Sequence, residues 1–223
     1  MKSKIYRRYG KRLFDLLFSI TAIVFLFPLL LVLAGLVRIG IGSPIFFKQP
    51  RPGINNSIFI MYKFRTMTNL RSSDGELLPD NVRLTKFGNF LRATSLDELP
   101  ELFNILLGDM SIVGPRPQLI VDKIFMNDVQ NQRHTVLPGL TGLAQVNGRN
   151  DISWELKFKY DLEYINNISL KGDLIIILKT FFKVFKKDGI NSEGMATAEN
   201  YGDYLLRTGK ISTETYEKTI ATK

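Results

Sequence analysis

The chain has 223 residues, 45% hydrophobic and 23% charged, which allows one domain with a sizeable core plus an appendage and excludes a disordered polymer. Cysteine is absent, which excludes a disulfide framework and a thiolate metal site and favours a reducing compartment. Thirty Lys and Arg against 21 Asp and Glu give a net charge of +9, so nucleic acid, anionic lipid and a phosphorylated substrate all qualify as partners, and charge placement must choose between them.

Residues 16–37 are almost wholly apolar, interrupted by Ser19, Thr21, Pro28 and Gly35. A helix needs about 20 apolar residues to span a bilayer, and this run is long enough. No small-residue cleavage site marks a signal peptide, and a buried core helix would keep a polar stripe that is missing here. Lys2, Lys4, Arg7, Arg8, Lys11 and Arg12 precede the run, while Arg38, Lys48, Arg51, Lys63 and Arg65 follow it. Positive residues mark the cytoplasmic side, and both flanks are positive. A straight span would put one flank outside; a re-entrant hairpin bent at Pro28 would not, although the carbonyl freed by proline needs a partner in lipid. Ser19 and Thr21 are the local candidates. The expected organisation is a basic N-terminus with a re-entrant membrane helix over residues 1–40, a cytoplasmic and interfacial catalytic domain over 41–190, and a polar, loosely attached tail over 191–223.

Residues 43–65 read as a β-hairpin, two apolar and aromatic runs separated by Pro52-Gly53 and Asn55-Asn56. Residues 69–82 read as a mobile polar loop. Helical patterning predicts helices over 85–91 and 99–107. Gly114-Pro115-Arg116-Pro117 forces an extended segment, and a helix follows over 117–131. A glycine-rich stretch, Pro138-Gly139-Leu140-Thr141-Gly142, leads to a helix over 154–165. Another helix, capped by Asp173, runs to residue 187. On it Leu174, Ile177, Leu178, Phe181 and Phe185 share one face, which suits either the lipid headgroup plane or a protein core. The fold class is α+β: a membrane helix-hairpin joined to a mostly helical domain with a small β-hairpin and interfacial amphipathic helices.

The chemistry concentrates in Arg92-Ala93-Thr94-Ser95-Leu96-Asp97-Glu98-Leu99-Pro100-Glu101. Ser95 and Glu98 have the spacing of a capping box, the bland explanation for an acidic pair. Against it, Arg65, Arg71, Arg83, Lys86 and Arg92 precede the pair and Arg116 follows. Adjacent carboxylates can hold Mg²⁺ together with substrate phosphates; Asp can attack phosphorus; arginines and the metal stabilise the transferring charge. Arg116, stiffened between two prolines, suits a bidentate phosphate contact or is merely a turn residue. His134, the sole histidine, has no evident partner. No P-loop or dinucleotide fingerprint is present.

From Lys11 to about Ala196 the chain resembles the bacterial sugar transferases, the monotopic phosphoglycosyl transferases. The resemblance rests on Lys11-Arg12-Leu13-Phe14-Asp15, Ser43-Pro44-Ile45-Phe46-Phe47-Lys48-Gln49-Pro50-Arg51-Pro52-Gly53, Lys63-Phe64-Arg65-Thr66-Met67, Leu91-Arg92-Ala93-Thr94-Ser95-Leu96-Asp97-Glu98-Leu99-Pro100, Gly114-Pro115-Arg116-Pro117, and the run from Leu137-Pro138-Gly139 through Gly148-Arg149-Asn150. It implies that Asp97 attacks the β-phosphorus of a UDP-sugar, releasing UMP, and that polyprenyl (undecaprenyl) phosphate then takes the sugar phosphate. It further implies that Asp97 and Glu98 form a catalytic and Mg²⁺-binding dyad, that Lys63, Arg92 and Arg116 lie near the phosphates, and that Asp161 occupies an acidic substrate-side position. The implied location is the cytoplasmic face of the inner membrane, in one leaflet, with a homodimer allowed and no nucleic acid partner. The family often has Ser before the hairpin proline and Trp at a later position; here these are Phe27 and Leu143. The rival reading is a membrane-tethered basic protein that binds acidic lipid or nucleic acid, for which the dyad would be dispensable.

Overall fold

The computed structural model describes residues 5–148, 152–186 and 199–221. Arg149, Asn150 and the predicted helix end at residue 187 lie outside them. The apolar run is helical from Lys11 to Gly40 (α1), with Pro28 inside it, and a short π-helical turn, Tyr6–Gly10, precedes it. The expected pair of helices joined by a break is therefore not what forms. One proline removes one amide donor, and the rest of the i→i−4 ladder continues around it. Ser19 donates back to the Leu16 carbonyl at 3.1 Å, on the side of the helix start rather than toward the carbonyl that Pro28 frees. By length and composition this is the one helix among the described residues able to cross a membrane.

Much of α1 is exposed, Phe25 and Ile39 most of all, yet one stripe is not. Phe14, Phe18, Ala22, Ile23 and Leu26 pack on the main core, and Leu30, Leu33 and Val37 pack with Phe64 and Leu91 in a second cluster. The predicted β-hairpin forms as β1 (Phe46–Pro52) and β2 (Ile58–Phe64), paired antiparallel from Phe46 opposite Phe64 to Pro52 opposite Ile58. Asn55 and Asn56 close it at φ 50° and 63°, left-handed values that Asn tolerates better than most residues. Residues 69–82, expected to be a mobile loop, close on themselves through an isolated bridge between Arg71 and Leu77 and end in a short helix, α2 (Asp80–Arg83).

Helix α3 (Lys86–Ala93) begins where Thr85 accepts the Gly88 amide at 2.8 Å. A Cβ on Gly88 would stand 1.8 Å from the Thr66 carbonyl oxygen, so only glycine lets α3 lie this close to the segment after β2. Helix α4 (Glu101–Leu107) ends at Gly108, whose φ of 97° frees its amide to reach the Asn104 and Ile105 carbonyls. Asn104, fully buried, donates to the Ile60 carbonyl at 2.7 Å and accepts the Tyr62 amide at 3.0 Å. It thereby satisfies the edge of β2 and fixes α4 beneath that strand.

A second sheet, not foreseen, pairs β3 (Ser111–Val113) with β4 (Gly139–Thr141) in parallel. A Cβ on Gly139 would meet the Gly114 amide nitrogen at 2.1 Å, so the glycine-rich stretch can only close onto Gly114-Pro115-Arg116-Pro117 without side chains. The single helix expected over 117–131 is two short ones, α5 (Ile120–Lys123) and α6 (Asp128–Asn131). Asn127 separates them by accepting the Gln130 amide at 3.0 Å as a helix cap. Helices α7 (Leu143–Asn147) and α8 (Trp154–Asn166) follow.

Helix α9 (Leu170–Lys186) starts three residues earlier than predicted, and Ser169 rather than Asp173 serves its first turn, accepting the Gly172 amide. Its expected single apolar face is two. Ile176 and Ile177 are buried in the core, while Leu174, Leu178, Phe181 and Phe182 are exposed. Past the tail's start, α10 (Tyr201–Arg207) buries Tyr201 and Leu205 against Met126, Trp154 and Phe158, and α11 (Thr213–Ala221) ends the described chain. That aromatic cluster holds the end of the chain more firmly than its polar composition suggests.

Candidate active site

Three segments converge at the C-terminal end of β2. Strand alternation places Lys63 on the opposite side of β2 from Tyr62, and α4, pinned by Asn104, brings Glu101 under it one turn earlier. Between α3 and α4, Ser95 takes φ 56° and makes no side-chain cap, so the capping box does not form. A non-glycine residue held left-handed beside chemistry-bearing groups is stored strain. It turns the chain sharply into the 3-10 turn Leu96–Glu98, which presents Asp97 and Glu98. The third segment is the proline-flanked Arg116. The residue before it is held by Gly139, whose amide donates to the Pro115 carbonyl at 2.9 Å.

Lys63 Nζ lies 2.8 Å from Glu98 Oε1 and 3.2 Å from Glu101 Oε1. Arg116 forks onto Glu98, one nitrogen on Oε1 and the other 3.5 Å from Oε2. Burial by itself would raise the Glu98 carboxyl, but the Arg116 guanidinium and the Lys63 ammonium outweigh it and hold Glu98 well below the usual carboxylate range. Glu98 in turn pushes the Arg116 guanidinium above its ordinary value. Lys63 is also raised, its two glutamates overcoming the cost of burial. Glu98 is thus a fixed anion.

Asp97 behaves differently. It is 8% exposed and accepts no hydrogen bond among the described residues. Burial first, and the neighbouring Glu98 charge second, lift its pKa to about 6 despite Lys63, Arg116 and Arg92. Arg92 donates from Nε to Thr66 Oγ1 at 3.0 Å and lies near enough for Asp97 to favour its charge. The arrangement is a buried carboxylate without hydrogen-bond partners, facing cations that a polyanionic ligand would bridge. Such a group is suited to nucleophilic attack on an electrophile held by those cations.

The structure therefore brings together Asp97, Glu98, Lys63, Arg92 and Arg116. Asp161 is not in that cluster: it is buried in an ion pair with Arg133, at 2.7 Å. Pro28 lies in α1, outside the cleft. Arg65 and Arg83, counted in the basic stretch, are spent on backbone carbonyls, Arg65 on Met67 and Arg83 on Thr68. His134 is buried with both ring nitrogens lacking a partner, and burial pushes its pKa down to about 4, so it is neutral. Sequence reasoning missed Glu101, which is 1% exposed and raised to about 7, mainly by burial. Its position three residues after Glu98 was the available signal, since that spacing puts two carboxylates on one helical face. It also missed Arg133, which nothing local distinguishes from other basic residues.

Residues 6–187 match the family described as Bacterial sugar transferase. The chain belongs to that family. Relatives of this bacterial sugar transferase include an uncharacterized sugar transferase, EpsL, of Bacillus subtilis (strain 168), 50% identical over 191 residues that cover 86% of this chain and 95% of the relative. A UDP-glucose:undecaprenyl-phosphate glucose-1-phosphate transferase of Klebsiella pneumoniae is 41% identical, the match covering 78% of this chain and 40% of that one. An undecaprenyl-phosphate galactose phosphotransferase of Salmonella typhimurium (strain LT2) is 37% identical, covering 82% of this chain and 42% of that one. The sugar transferase thus spans less than half the length of these last two relatives, and their names carry two different sugars.

Proposed function

We propose that this sugar transferase moves a sugar 1-phosphate from a UDP-sugar to polyprenyl phosphate through a covalent intermediate on Asp97. The observation that carries the reading is the largely buried Asp97 carboxylate, which accepts no hydrogen bond from the described residues and lies in the field of Lys63, Arg116 and Arg92. In the first step an Asp97 oxygen bonds to the β-phosphorus, the bond to the bridging oxygen breaks, and UMP leaves with that oxygen. In the second, an oxygen of polyprenyl phosphate displaces Asp97, regenerating the carboxylate and forming a polyprenyl diphosphate sugar. Arg116 and Lys63, held now by Glu98, are the donors that transfer to the phosphoryl oxygens as charge develops.

Among the described residues no cluster of three acidic or histidine side chains could hold a metal by itself. Mg²⁺ nevertheless fits: Asp97 has both oxygens uncommitted, Glu98 Oε2 meets only a 3.5 Å contact, and Mg²⁺ takes one or two carboxylates plus substrate phosphates. When bound there it would neutralise charge on the pyrophosphate. Chelator should then stop turnover and Mg²⁺ restore it.

The same reading covers the membrane. Lys11 reaches Asp173, Arg12 donates to the Ile105 and Leu106 carbonyls, and Asp15 accepts from Ser111 and Ile112. At the other end Val37 packs with Phe64 and Leu91. A straight span would separate these contact sets by a hydrocarbon core of about 30 Å; here one catalytic body meets both. That supports an anchor whose two ends both stay at the cytoplasmic face, with α1 kinked at Pro28 rather than broken by a loop, and the exposed apolar side of α9 at the same interface. Cysteines placed at Arg8 and Lys48 should label from one side only.

The decisive test mixes enzyme with UDP-glucose or UDP-galactose and Mg²⁺ without lipid. UMP should appear up to one per active site, and the peptide holding Asp97 should gain the mass of a sugar phosphate. UMP that appears only after lipid is added, with no adduct, would instead establish direct transfer within a ternary complex.

A further inference from the structure

The segment that carries Arg116 is strapped by two other arginines. Arg133 NH2 donates to the Arg116 main-chain carbonyl at 2.7 Å, and Arg51 NH1 donates to the next carbonyl, that of Pro117, at 3.3 Å. Each strap is itself anchored. Arg133 is paired with Asp161 through Nε at 3.0 Å and through NH2 at 2.7 Å, and both partners are about 3% exposed. Arg51 bonds the Gln49 side chain at 2.6 Å. The Arg133 strap is the stronger device: its bond to the carbonyl is the shorter of the two, and its anchor is a buried ion pair.

We propose that Arg133, oriented by Asp161, is a positioning residue for the donor's pyrophosphate: it fixes the backbone of Arg116 and thereby aims the Arg116 guanidinium.

The physical case has three parts. The Arg116 side chain is 37% exposed, against 14% for Lys63 and 19% for Glu98, so its own packing holds it less than theirs does. The flanking prolines limit its backbone torsions but supply no donors, and its carbonyl would otherwise be free to rotate. A buried ion pair is a poor source of net stability, since apolar replacements often do as well. Its use here is directional, because Nε and NH2 of one rigid guanidinium both meet Asp161 Oδ2 while NH2 also reaches the Arg116 carbonyl, fixing plane and distance together. This also assigns Asp161 a task that needs no contact with substrate. The inference rests on the reading of Arg116 as a phosphate ligand.

The test uses full-length protein in detergent or nanodiscs and UDP as a non-reacting probe that carries the pyrophosphate. Arg133→Lys keeps the charge but loses the fork, and Asp161→Asn keeps the shape but loosens Arg133. Each should weaken UDP binding by roughly 10-fold in the otherwise native protein, and by less than about 2-fold when Arg116 is already Ala, because a residue acting through Arg116 has nothing left to position. Melting temperatures identify a variant that has merely failed to fold; the comparison then rests on the other. Equal losses in both backgrounds would mean that Arg133 touches the ligand itself or acts only through general stability, and would overturn the proposal. UDP binding unchanged in both variants but lost in Arg116→Ala would likewise overturn it while leaving the donor reading intact. No UDP binding by the native protein would overturn the phosphate-ligand reading and the proposal with it.

Discussion

Two buried carboxylates in this molecule are chemically opposite. Asp173, fully buried, accepts from the Tyr6 hydroxyl at 2.7 Å, from Lys11 Nζ at 2.8 Å and from the Tyr164 hydroxyl at 2.9 Å. Asp97, also buried, accepts nothing and is pushed up to about 6. Burial sets the cost of each charge, and the donors decide whether that cost is offset in the folded state or left as reactivity. Asp173 fastens the N-terminal apolar helix to the domain. Asp97 is left without a hydrogen-bond donor among those cations, the state that the proposed attack on phosphorus requires.

The sharpest way to break the comparison is to remove each charge. Asp97→Asn should lower the UMP burst by at least roughly a thousandfold, as expected for loss of a nucleophile. The same change should stabilise the protein. Because the folded-state pKa of Asp97 lies above its ordinary 3.8, at about 6, the folded protein holds a proton through that window which the unfolded chain has lost. Stability therefore falls as pH rises through it, and Asn escapes the loss, a gain of about 1–3 kcal/mol at neutral pH read as a raised melting temperature.

Arg116→Lys should cost about 100-fold in turnover with folding and membrane partition intact, because Lys offers a point charge in place of a fork. Near-native turnover would make Arg116 a turn residue. Asp173→Asn should do the reverse of Asp97→Asn. Lys11 loses its partner, so stability drops by about 3 kcal/mol, while the burst per folded molecule stays close to native. A lost burst in stable Asp173→Asn protein would show that the two carboxylates are not separable in function.

The smallest effect is in pH. Asp97 must be ionised to attack, so the burst rate should fall as pH drops through about 6 and level off above it. A flat profile from pH 5 to 8 would mean that bound substrate pulls the Asp97 pKa well below the range in the free protein.

The N-terminal apolar helix, the β-hairpin with its Asn-Asn turn, and the group Asp97, Glu98, Lys63 and Arg116 were legible from the sequence. Apolar length, strand alternation and turn chemistry are local properties, and the long motifs identified the family. Local rules also misled. The spacing of Ser95 and Glu98 reads as a capping box, but Arg116, 18 residues away, takes Glu98 and leaves Ser95 left-handed. Asp173 reads as a helix cap, but Tyr6 and Lys11, more than 160 residues earlier, claim it. The sequence by itself determined that the chain has a helix long and apolar enough to cross a membrane and an acidic pair among cations. Only the tertiary structure decided which carboxylates are bonded and which is left bare, because hydrogen-bond partners for a buried charge come from whichever distant segment the packing brings within about 3 Å.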